Sequence, residues 1–311
     1  MLGLIERQQQ RDASFWHDWA MHALVVLGGA HFLAGVVFFF AYNWEDLSAF
    51  SKFAILQVGV VGAFTGALWM RLEKPAGQAL LIVASVLTGV LLAVIGQVYQ
   101  TGADAWELFA AWTALILPWA LASRSNAHWF LWMIVCLVAA SLYGEQRLVA
   151  LGRMEWHTVT TLVGILPIGF LVVREVALQA GMAWLNVGWF RRGLVVISLG
   201  LLFVPALQFV FDWDKAAPGF VAFWAVALAL AYVYTQRLRD FPVFSIVVAF
   251  STLVGMALGG RVIFEILDSG EAGSLTLGLL LLAGWCVLLT SGAVRVLRHQ
   301  QRDVVQGSSH G

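Results

Sequence analysis

The sequence predicts an all-α, polytopic integral membrane helical bundle with about ten transmembrane helices. Of its 311 residues, 61% are hydrophobic and 12% are charged, whereas soluble domains carry about 25% charged residues. The mean hydropathy is +0.84. Apolar segments long enough to cross a bilayer recur from Met21 to Val294, which leaves no room for a large soluble domain.

Each predicted span is a mostly apolar run of residues, and a span needs about 20 of them. The fifth and sixth runs are short, and the interfacial residues Trp129 and Trp156 can extend them. Residues 1–20 are polar and no cleavage site is visible, so the first span is interpreted as an uncleaved signal. The predicted spans cover residues 21–42, 53–70, 79–98, 106–122, 128–143, 159–173, 193–211, 219–235, 242–262 and 275–294.

The distribution of lysine and arginine predicts the orientation. With the N-terminus inside, the inner segments hold 13 of the 18 basic residues, so the positive-inside rule places both termini in the cytoplasm. Residues 1–20 and 178–192 mix aromatic, apolar and basic side chains, which is typical of helices lying at the headgroups; an ordinary loop with aromatic anchors is the alternative.

These features predict five regions along the chain. An amphipathic cytoplasmic segment at 1–20 precedes a first membrane half at 21–150. A connecting helix and interfacial segment at 151–192 leads to a second membrane half at 193–295, and a cytoplasmic tail covers 296–311.

A faint internal repeat relates the first four spans to the last four. Trp44 and Trp213 follow corresponding spans, and the interval between them nearly equals the interval between Gly96 and Gly260. Six spans separate the copies, and this even number predicts a parallel repeat about an axis along the membrane normal. Coincidence among apolar segments is the alternative.

Composition argues against several functions. The net charge is zero, so a nucleic-acid partner is not expected. Cys136 and Cys286 lie inside apolar runs, which argues against a disulfide framework or a cysteine metal site. No nucleotide loop, zinc motif or nucleophile elbow occurs, so we predict no catalytic residue, metal or cofactor. The lipid bilayer and a membrane or periplasmic protein are the expected partners.

The most polar turn of the sequence lies between the third and fourth spans. Asp104 and Glu107 have the spacing of a capping box, which satisfies free N–H groups at a helix start. On the predicted topology this turn and the end of the first span share the outer face, where they would form the rim of a polar pocket. A capped turn with interfacial tryptophan and solvated acids is the alternative. The candidate rim residues are Asn43, Trp44, Glu45, Gln97, Tyr99, Gln100, Asp104 and Glu107.

Arg261 and Glu265 join this candidate pocket from the ninth span. Their spacing predicts an ion pair on one helix face, and Gly259-Gly260 before them predicts a weakened or broken helix. Polar residues inside spans are a second class of candidate and are expected to hydrogen-bond across helices, with a proton relay as the alternative for the histidine. They are His31, Gln57 and Gln208.

Three motifs resemble a known family. They are A-Y-N-W-E-D-L-S at residues 41–48, G-Q-V-Y-Q at 96–100 and L-P-W-A-L-A-S-R-S at 117–125. In these motifs the chain resembles, over roughly residues 20–150, the prokaryotic membrane proteins catalogued as domain of unknown function 2157. The resemblance implies a multi-pass protein of the bacterial inner membrane and supplies no activity, substrate or catalytic residue.

Three functions fit the sequence. A transporter-like protein handling a small polar or amphiphilic solute is favoured by ten spans, a parallel repeat and polar residues at one face. A non-catalytic membrane subunit or scaffold is favoured by the scarcity of charges near the membrane midplane. A membrane-embedded lipid-modifying enzyme would use acids such as Asp104 and Glu107. A polar-lined cavity within the bundle would favour transport over scaffolding.

Overall fold

A computed structural model describes residues 46–267 and 272–308 of the chain. Nearer the N-terminus it describes residues 16, 17, 19–21, 23, 24, 27, 28, 31, 35, 38 and 42. Within these residues the protein is all-helical and contains no strand.

Nine helices of the described residues are long and apolar enough to cross a membrane. They coincide with nine of the ten predicted spans, so the prediction of a polytopic helical membrane protein is confirmed. The span predicted at 21–42 falls mostly outside the described residues. The helices are α1 (Ala49–Trp69), α2 (Pro75–Tyr99), α3 (Ala105–Ser123), α4 (Asn126–Tyr143), α5 (Trp156–Gln179), α6 (Gly188–Phe211), α7 (Ala217–Tyr232), α8 (Phe241–Leu267) and α9 (Ala272–Ser308).

Two of these helices are extended by π-helical turns, at Gly144–Val149 after α4 and at Val233–Arg237 after α7. The chain divides into two compact units, Met1–Val58 and Gly59–Gly311. In the second unit the hydrophobic core surrounds α6, which packs against α5, α7 and α8. In the apolar stretch of α6, 44% of the residues are buried, whereas in that of α9 only 6% are buried. Helix α6 is therefore the central helix and α9 an edge helix.

Short turns join successive helices, so neighbours run antiparallel and the turns alternate between two ends of this unit. One end carries the turns at 70–74, 124–125, 180–187 and 238–240, and we name it the Arg124 end. The other carries the turns at 100–104, 150–155 and 212–216, and we name it the Gly102 end.

The interfacial helix predicted at 178–192 is not present. Helix α5 continues to Gln179, a single 3-10 turn forms at Ala183–Leu185, and α6 begins at Gly188. The Arg174 guanidinium holds this connection against α5, because its Nη2 donates to the carbonyl oxygens of Leu185 at 2.6 Å and Val187 at 3.3 Å. The buried Arg174 side chain therefore fixes the path of the connection between α5 and α6. The amphipathic segment predicted at 1–20 lies largely outside the described residues.

A glycine in α2 accommodates a tryptophan of α3. A Cβ atom on Gly89 would lie less than 3.0 Å from the Trp112 ring, closer than real Cβ contacts. The Trp112 indole Nε1 donates to the carbonyl oxygen of Ser85, four residues before the glycine, at 2.8 Å. We name this arrangement a Gly–Trp notch. It holds α2 and α3 together by a close fit and one hydrogen bond, as small residues do at membrane helix interfaces.

A second Gly–Trp notch joins α8 and α9. A Cβ on Gly259 would overlap the Trp285 indole, whose Nε1 donates to the carbonyl oxygen of Gly255, again four residues earlier, at 3.0 Å. Helix α8 continues through Gly259-Gly260, so the predicted break is wrong. The glycine at 259 makes room for an aromatic ring from the next helix.

Candidate functional site

The turn predicted to organise the site lies at the Gly102 end, and its capping differs from the prediction. Asp104 occupies the N-cap position of α3, but its carboxylate makes no capping hydrogen bond. Instead, Arg147 Nη2 lies 3.0 Å from Asp104 Oδ2 and 3.6 Å from Glu107 Oε1. The Trp106 backbone N–H donates to Gln146 Oε1 at 3.3 Å. The π-helical turn after α4 therefore caps α3, and the two acids form ion pairs.

The other candidates at this turn are exposed. Gln97 and Tyr99 lie at the exposed end of α2. Gln100 has a left-handed backbone (φ 45°), and its N–H bonds to the carbonyl of Gly96, so it ends the helix. Among the described residues, the Thr101 hydroxyl is the one group within 4 Å of a Cβ built on Gly96. The remaining rim candidates, Asn43, Trp44 and Glu45, lie outside the described residues.

Arg261 and Glu265 form the predicted ion pair on α8, with 3.5 Å between Arg261 Nε and Glu265 Oε2. Trp213, after α6, donates its indole N–H to the same Glu265 oxygen at 3.2 Å. In the same turn Lys215 Nζ lies 2.8 Å from Asp212 Oδ2. The hydrogen bond from Lys215 lowers the pKa of Asp212 and raises that of Lys215. This exposed cluster lies at the Gly102 end and lines none of the cavities described below.

Among the described residues, the intramembrane polar candidates form no hydrogen bonds across helices. His31 is exposed, and its Nδ1 bonds to the Leu27 carbonyl of its own helix at 2.8 Å. Gln57 is exposed on α1. Gln208 is half-buried on α6, and its buried Oε1 has no partner among the described residues.

The densest buried charge cluster lies at the opposite, Arg124 end. Glu175 of α5 accepts hydrogen bonds from Arg174 Nη1 at 2.5 Å and from Arg191 Nε at 2.9 Å. Arg191 Nη1 also reaches Asp240 Oδ2 at 2.6 Å. Tyr234 donates its hydroxyl to Glu175 Oε1 at 3.3 Å, below the Arg191 guanidinium. Two cations and two anions thus join α5, α6 and the α7–α8 connection in one neutral network.

Next to this network, a cavity of about 690 Å³ opens between α3, α4, α5 and α6. Its volume is within the range of small-molecule sites. The walls are mainly apolar and aromatic: Leu121, Trp129, Trp132, Met133, Phe170, Val173, Ala177, Gly181, Met182, Ala183, Trp184, Leu185 and Phe190. Arg124 and Arg174 also line it. We name it the aromatic cavity.

Two hydrogen-bond donors in the wall of the aromatic cavity are unused. The indole Nε1 of Trp129 and the guanidinium Nε of Arg174 are buried and have no partner among the described residues. Arg174 is 3% exposed, so its Nε cannot be satisfied by bulk solvent. The Trp132 indole on the same wall does have a partner, the Thr113 carbonyl at 3.0 Å. Buried donors usually have partners, so these two are exceptions among the residues that line the cavity.

A second cavity, of about 1010 Å³, adjoins the first, since Arg124 and Trp184 line both. It is polar, and its lining carries three cations, Arg71, Lys74 and Arg124, against the single acid Glu73. No ion pair or side-chain hydrogen bond is formed by these cations within the described part of the chain. We name it the basic cavity. Together the two cavities offer an apolar volume beside a positively charged one.

The backbone positions two of these arginines in an unusual way. Arg71 (φ 67°) and Arg124 (φ 47°) both adopt the left-handed conformation at the end of a helix. Glycine is the usual residue there because a Cβ is strained in this region. Gly77 lets the Arg71 carbonyl fit against α2, where a Cβ on the glycine would overlap it. The turn at 70–74 is therefore tightly held.

On the far side of the charge network lies a third cavity, of about 590 Å³, lined by Glu175, Tyr234, Arg237 and apolar residues of α5 and α7. Between α2 and α4, a further polar contact joins Ser85 Oγ to His128 Nε2 at 2.9 Å. Both of these residues are fully buried. The pair lies in a tightly packed region and lines none of the three cavities, so we assign it a role in joining α2 and α4.

Sequence reasoning missed the charge network and the aromatic cavity. A usable signal was present. Glu175 is an acid in the predicted inner segment that also carries Arg174 and Arg191, and Asp240 is an acid in another predicted inner segment. The positive-inside rule used these arginines only to predict which side of the membrane each segment faces, and it did not consider their ion pairs. The aromatic cavity had no comparable signal, because tryptophan and phenylalanine are expected throughout a membrane protein.

One comparison with known proteins found a match, and it agrees with a membrane protein. Residues 3–129 match the model of the family described as Predicted membrane protein (DUF2157), which confirms the resemblance seen in the sequence motifs. No curated protein and no solved structure matches the chain.

Proposed function

We propose that this multi-pass membrane protein is transporter-like and takes an amphiphilic solute into the aromatic cavity at its Arg124 end. The observation that carries the proposal is the adjacency of the aromatic and basic cavities, which share Arg124 and Trp184. An apolar pocket with a few convergent polar groups is the usual form of a small-molecule site. The site proposed from the sequence, around Gln97 and Gln100, remains a prediction for the opposite end.

The proposal places the Arg124 end at the cytoplasmic face of the inner membrane, with both termini cytoplasmic. Its support is the excess of basic residues in the turns and termini assigned to that face. Both cavities would then open toward the inner leaflet and the cytoplasm.

We expect reporter fusions at Gly102 and Arg237 to report opposite sides of the membrane, with Gly102 periplasmic. The two positions are at opposite ends of the helices in the second unit. A phosphatase reporter should be active at Gly102, and a fluorescent-protein reporter should be active at Arg237. Activity of the same reporter at both positions would contradict the proposed topology.

A parallel internal repeat is part of the proposal, and the Gly–Trp notches support it. The interval from Gly89 to Gly259 is nearly the same as the interval from Trp112 to Trp285, so similar offsets relate the two pairs. Each notch joins the third and fourth spans of its copy, with the indole N–H donating to the carbonyl four residues before the glycine. Parallel repeats of this kind occur in transporter folds.

The turns preceding α2 and α8 point to the same register. Arg71 and Arg239 both have a left-handed backbone, and both lie shortly before the helix that carries the glycine of a notch. The interval between them is nearly the same as the interval between Gly89 and Gly259. The turn and the notch of the first copy are therefore separated from those of the second copy by similar numbers of residues.

This offset changes one detail of the repeat predicted from the sequence. The interval from Gly96 to Gly260 is several residues shorter than the interval from Gly89 to Gly259. We therefore propose that Gly89 and Gly259 are equivalent positions in the two copies. Gly260 is then not the equivalent of Gly96.

Filling the aromatic cavity tests the proposed function. We expect Ala177→Phe to slow movement of a fluorescent lysophospholipid across proteoliposomes about fivefold or more, since overfilling a packed site costs roughly 1–3 kcal/mol. Ala114→Phe is the matched control, because Ala114 is exposed on α3 and lines none of the three cavities. Equal rates in wild type, both variants and protein-free vesicles would contradict transport.

A membrane scaffold is the second candidate, and the edge helix α9 favours it. Its apolar window is only 6% buried, so most of its surface is available to lipid or to a partner helix. The same experiment separates the two functions: a scaffold leaves lysophospholipid movement at the protein-free rate.

A further inference from the structure

We infer that the two adjoining cavities bind one anionic phospholipid, with an acyl chain in the aromatic cavity and the phosphate headgroup in the basic cavity. This inference rests on the proposed function and specifies its substrate class. The occupant is defined by three complementary features: apolar volume, unused donors and net positive charge.

The apolar part fits an acyl chain. Aromatic and aliphatic side chains form most of the wall, and the volume of about 690 Å³ is comparable with that of sites for small ligands. A purely polar solute would leave these surfaces in contact with water, at a free-energy cost proportional to the apolar area.

The unused groups in this wall are donors. Trp129 Nε1 and Arg174 Nε both carry a hydrogen, and neither has a partner among the described residues. We expect the occupant to present acceptor oxygens to these two groups, whose residues line the aromatic cavity. Ester and phosphate oxygens of a glycerophospholipid meet this requirement, whereas a hydrocarbon does not.

The charge of the basic cavity selects an anion. Arg71, Lys74 and Arg124 face Glu73 alone, so the lining carries a net charge of about two positive units at neutral pH. These three cations are exposed, whereas two arginines with largely buried side chains are paired: Arg174 and Arg191 contact Glu175, and Arg191 also contacts Asp240. Basic pockets between membrane helices on the cytoplasmic side are suited to acidic lipid headgroups.

The arginine conformations give the inference a sensitive test. Because Arg124 is left-handed, Arg124→Gly removes the cation while relieving backbone strain. The variant should therefore fold, with an unchanged or higher melting temperature. Arg239→Gly is the matched control, since Arg239 is also left-handed at the same end and lines none of the three cavities.

The test is native mass spectrometry of the delipidated full-length chain with phosphatidylglycerol and with phosphatidylcholine of identical acyl chains. We expect wild type to retain phosphatidylglycerol in preference to phosphatidylcholine. Arg124→Gly should lower phosphatidylglycerol retention about fivefold, the effect of one cation near an anionic headgroup. Arg239→Gly should retain both lipids as wild type does.

The donor at Trp129 is tested in the same way. Trp129→Phe keeps an aromatic wall and removes the unused N–H, so retention of both lipids should fall several-fold. Trp106→Phe is the matched control, because its buried indole Nε1 also has no partner among the described residues and Trp106 lines none of the three cavities. It should leave lipid retention unchanged.

The outcomes distinguish the anionic headgroup from the amphiphile site on which it rests. Equal retention of both lipids, insensitive to Arg124→Gly but reduced by Ala177→Phe, overturns the anionic headgroup and leaves the amphiphile site intact. Retention of neither lipid overturns the site and the proposed function together. Displacement of phosphatidylglycerol by millimolar inorganic phosphate, without any dependence on Trp129 or Ala177, overturns the lipid as occupant in favour of free phosphate.

Discussion

Glu175→Gln is expected to lower the free energy of unfolding by about 3–5 kcal/mol, the cost of breaking a buried ion pair by removing one partner. The substitution keeps the size of the side chain but leaves Arg174 without an anion and Arg191 with Asp240 alone. Arg174 is 3% exposed, so water cannot replace the lost carboxylate. Equilibrium unfolding of the purified chain in mixed micelles measures the change.

The control for this prediction is Glu265→Gln, which makes the same substitution in an exposed ion pair. Glu265 is 52% exposed and lies 3.5 Å from Arg261, so we expect a loss of less than about 1 kcal/mol. A double variant, Glu175→Gln with Arg174→Gln, should recover part of the loss because it removes the cation that Glu175→Gln leaves unpaired. Similar losses for Glu175→Gln and Glu265→Gln would show that the network contributes little to stability.

Gly89→Ala and Gly259→Ala are each expected to lower stability by about 1–3 kcal/mol, because both force a methyl group into a tryptophan ring. The new Cβ would lie less than 3.0 Å from Trp112 in the first case and from Trp285 in the second. Relief requires the ring to leave its notch, which also breaks its hydrogen bond to the carbonyl four residues before the glycine. Thermal unfolding in detergent measures both variants.

Gly62→Ala in α1 and Gly169→Ala in α5 are matched controls, since no described residue lies within 4 Å of a Cβ at either position. Both should be neutral or stabilising by up to about 1 kcal/mol, because alanine favours a helix over glycine. Similar losses at Gly89 and Gly259 would fit the proposed repeat. If the notch variants behave like the controls, close helix approach at these glycines is not needed.

Ion pairs formed across the fold explain why the sequence identified the polar positions at the Gly102 end but not their partners. The spacing of Asp104 and Glu107 correctly placed the start of α3. Their partner, Arg147, is distant along the chain, on the turn that follows α4. Local spacing can predict an i,i+4 pair such as Arg261–Glu265, but it cannot predict a contact set by how two helices pack.

The sequence alone determined that this is a helical membrane protein and where its spans lie. Apolar length and composition are sufficient for that, because a bilayer requires every backbone polar group to be satisfied within a helix. Turn positions followed from the same pattern, and nine predicted spans coincide with α1–α9. The family resemblance likewise depended on local motifs and matches residues 3–129.

Only the tertiary structure decided which residues meet. Helix packing placed two arginines and two acids in one network at the Arg124 end, and it opened the aromatic cavity beside them. It also made Gly259 a notch for a tryptophan rather than a point of weakness. The physical reason is that helices in lipid associate through close van der Waals fit and a few hydrogen bonds, with little hydrophobic driving force between them. This fit depends on pairs of helix surfaces that are distant in the chain. Hydropathy and local spacing therefore do not predict it.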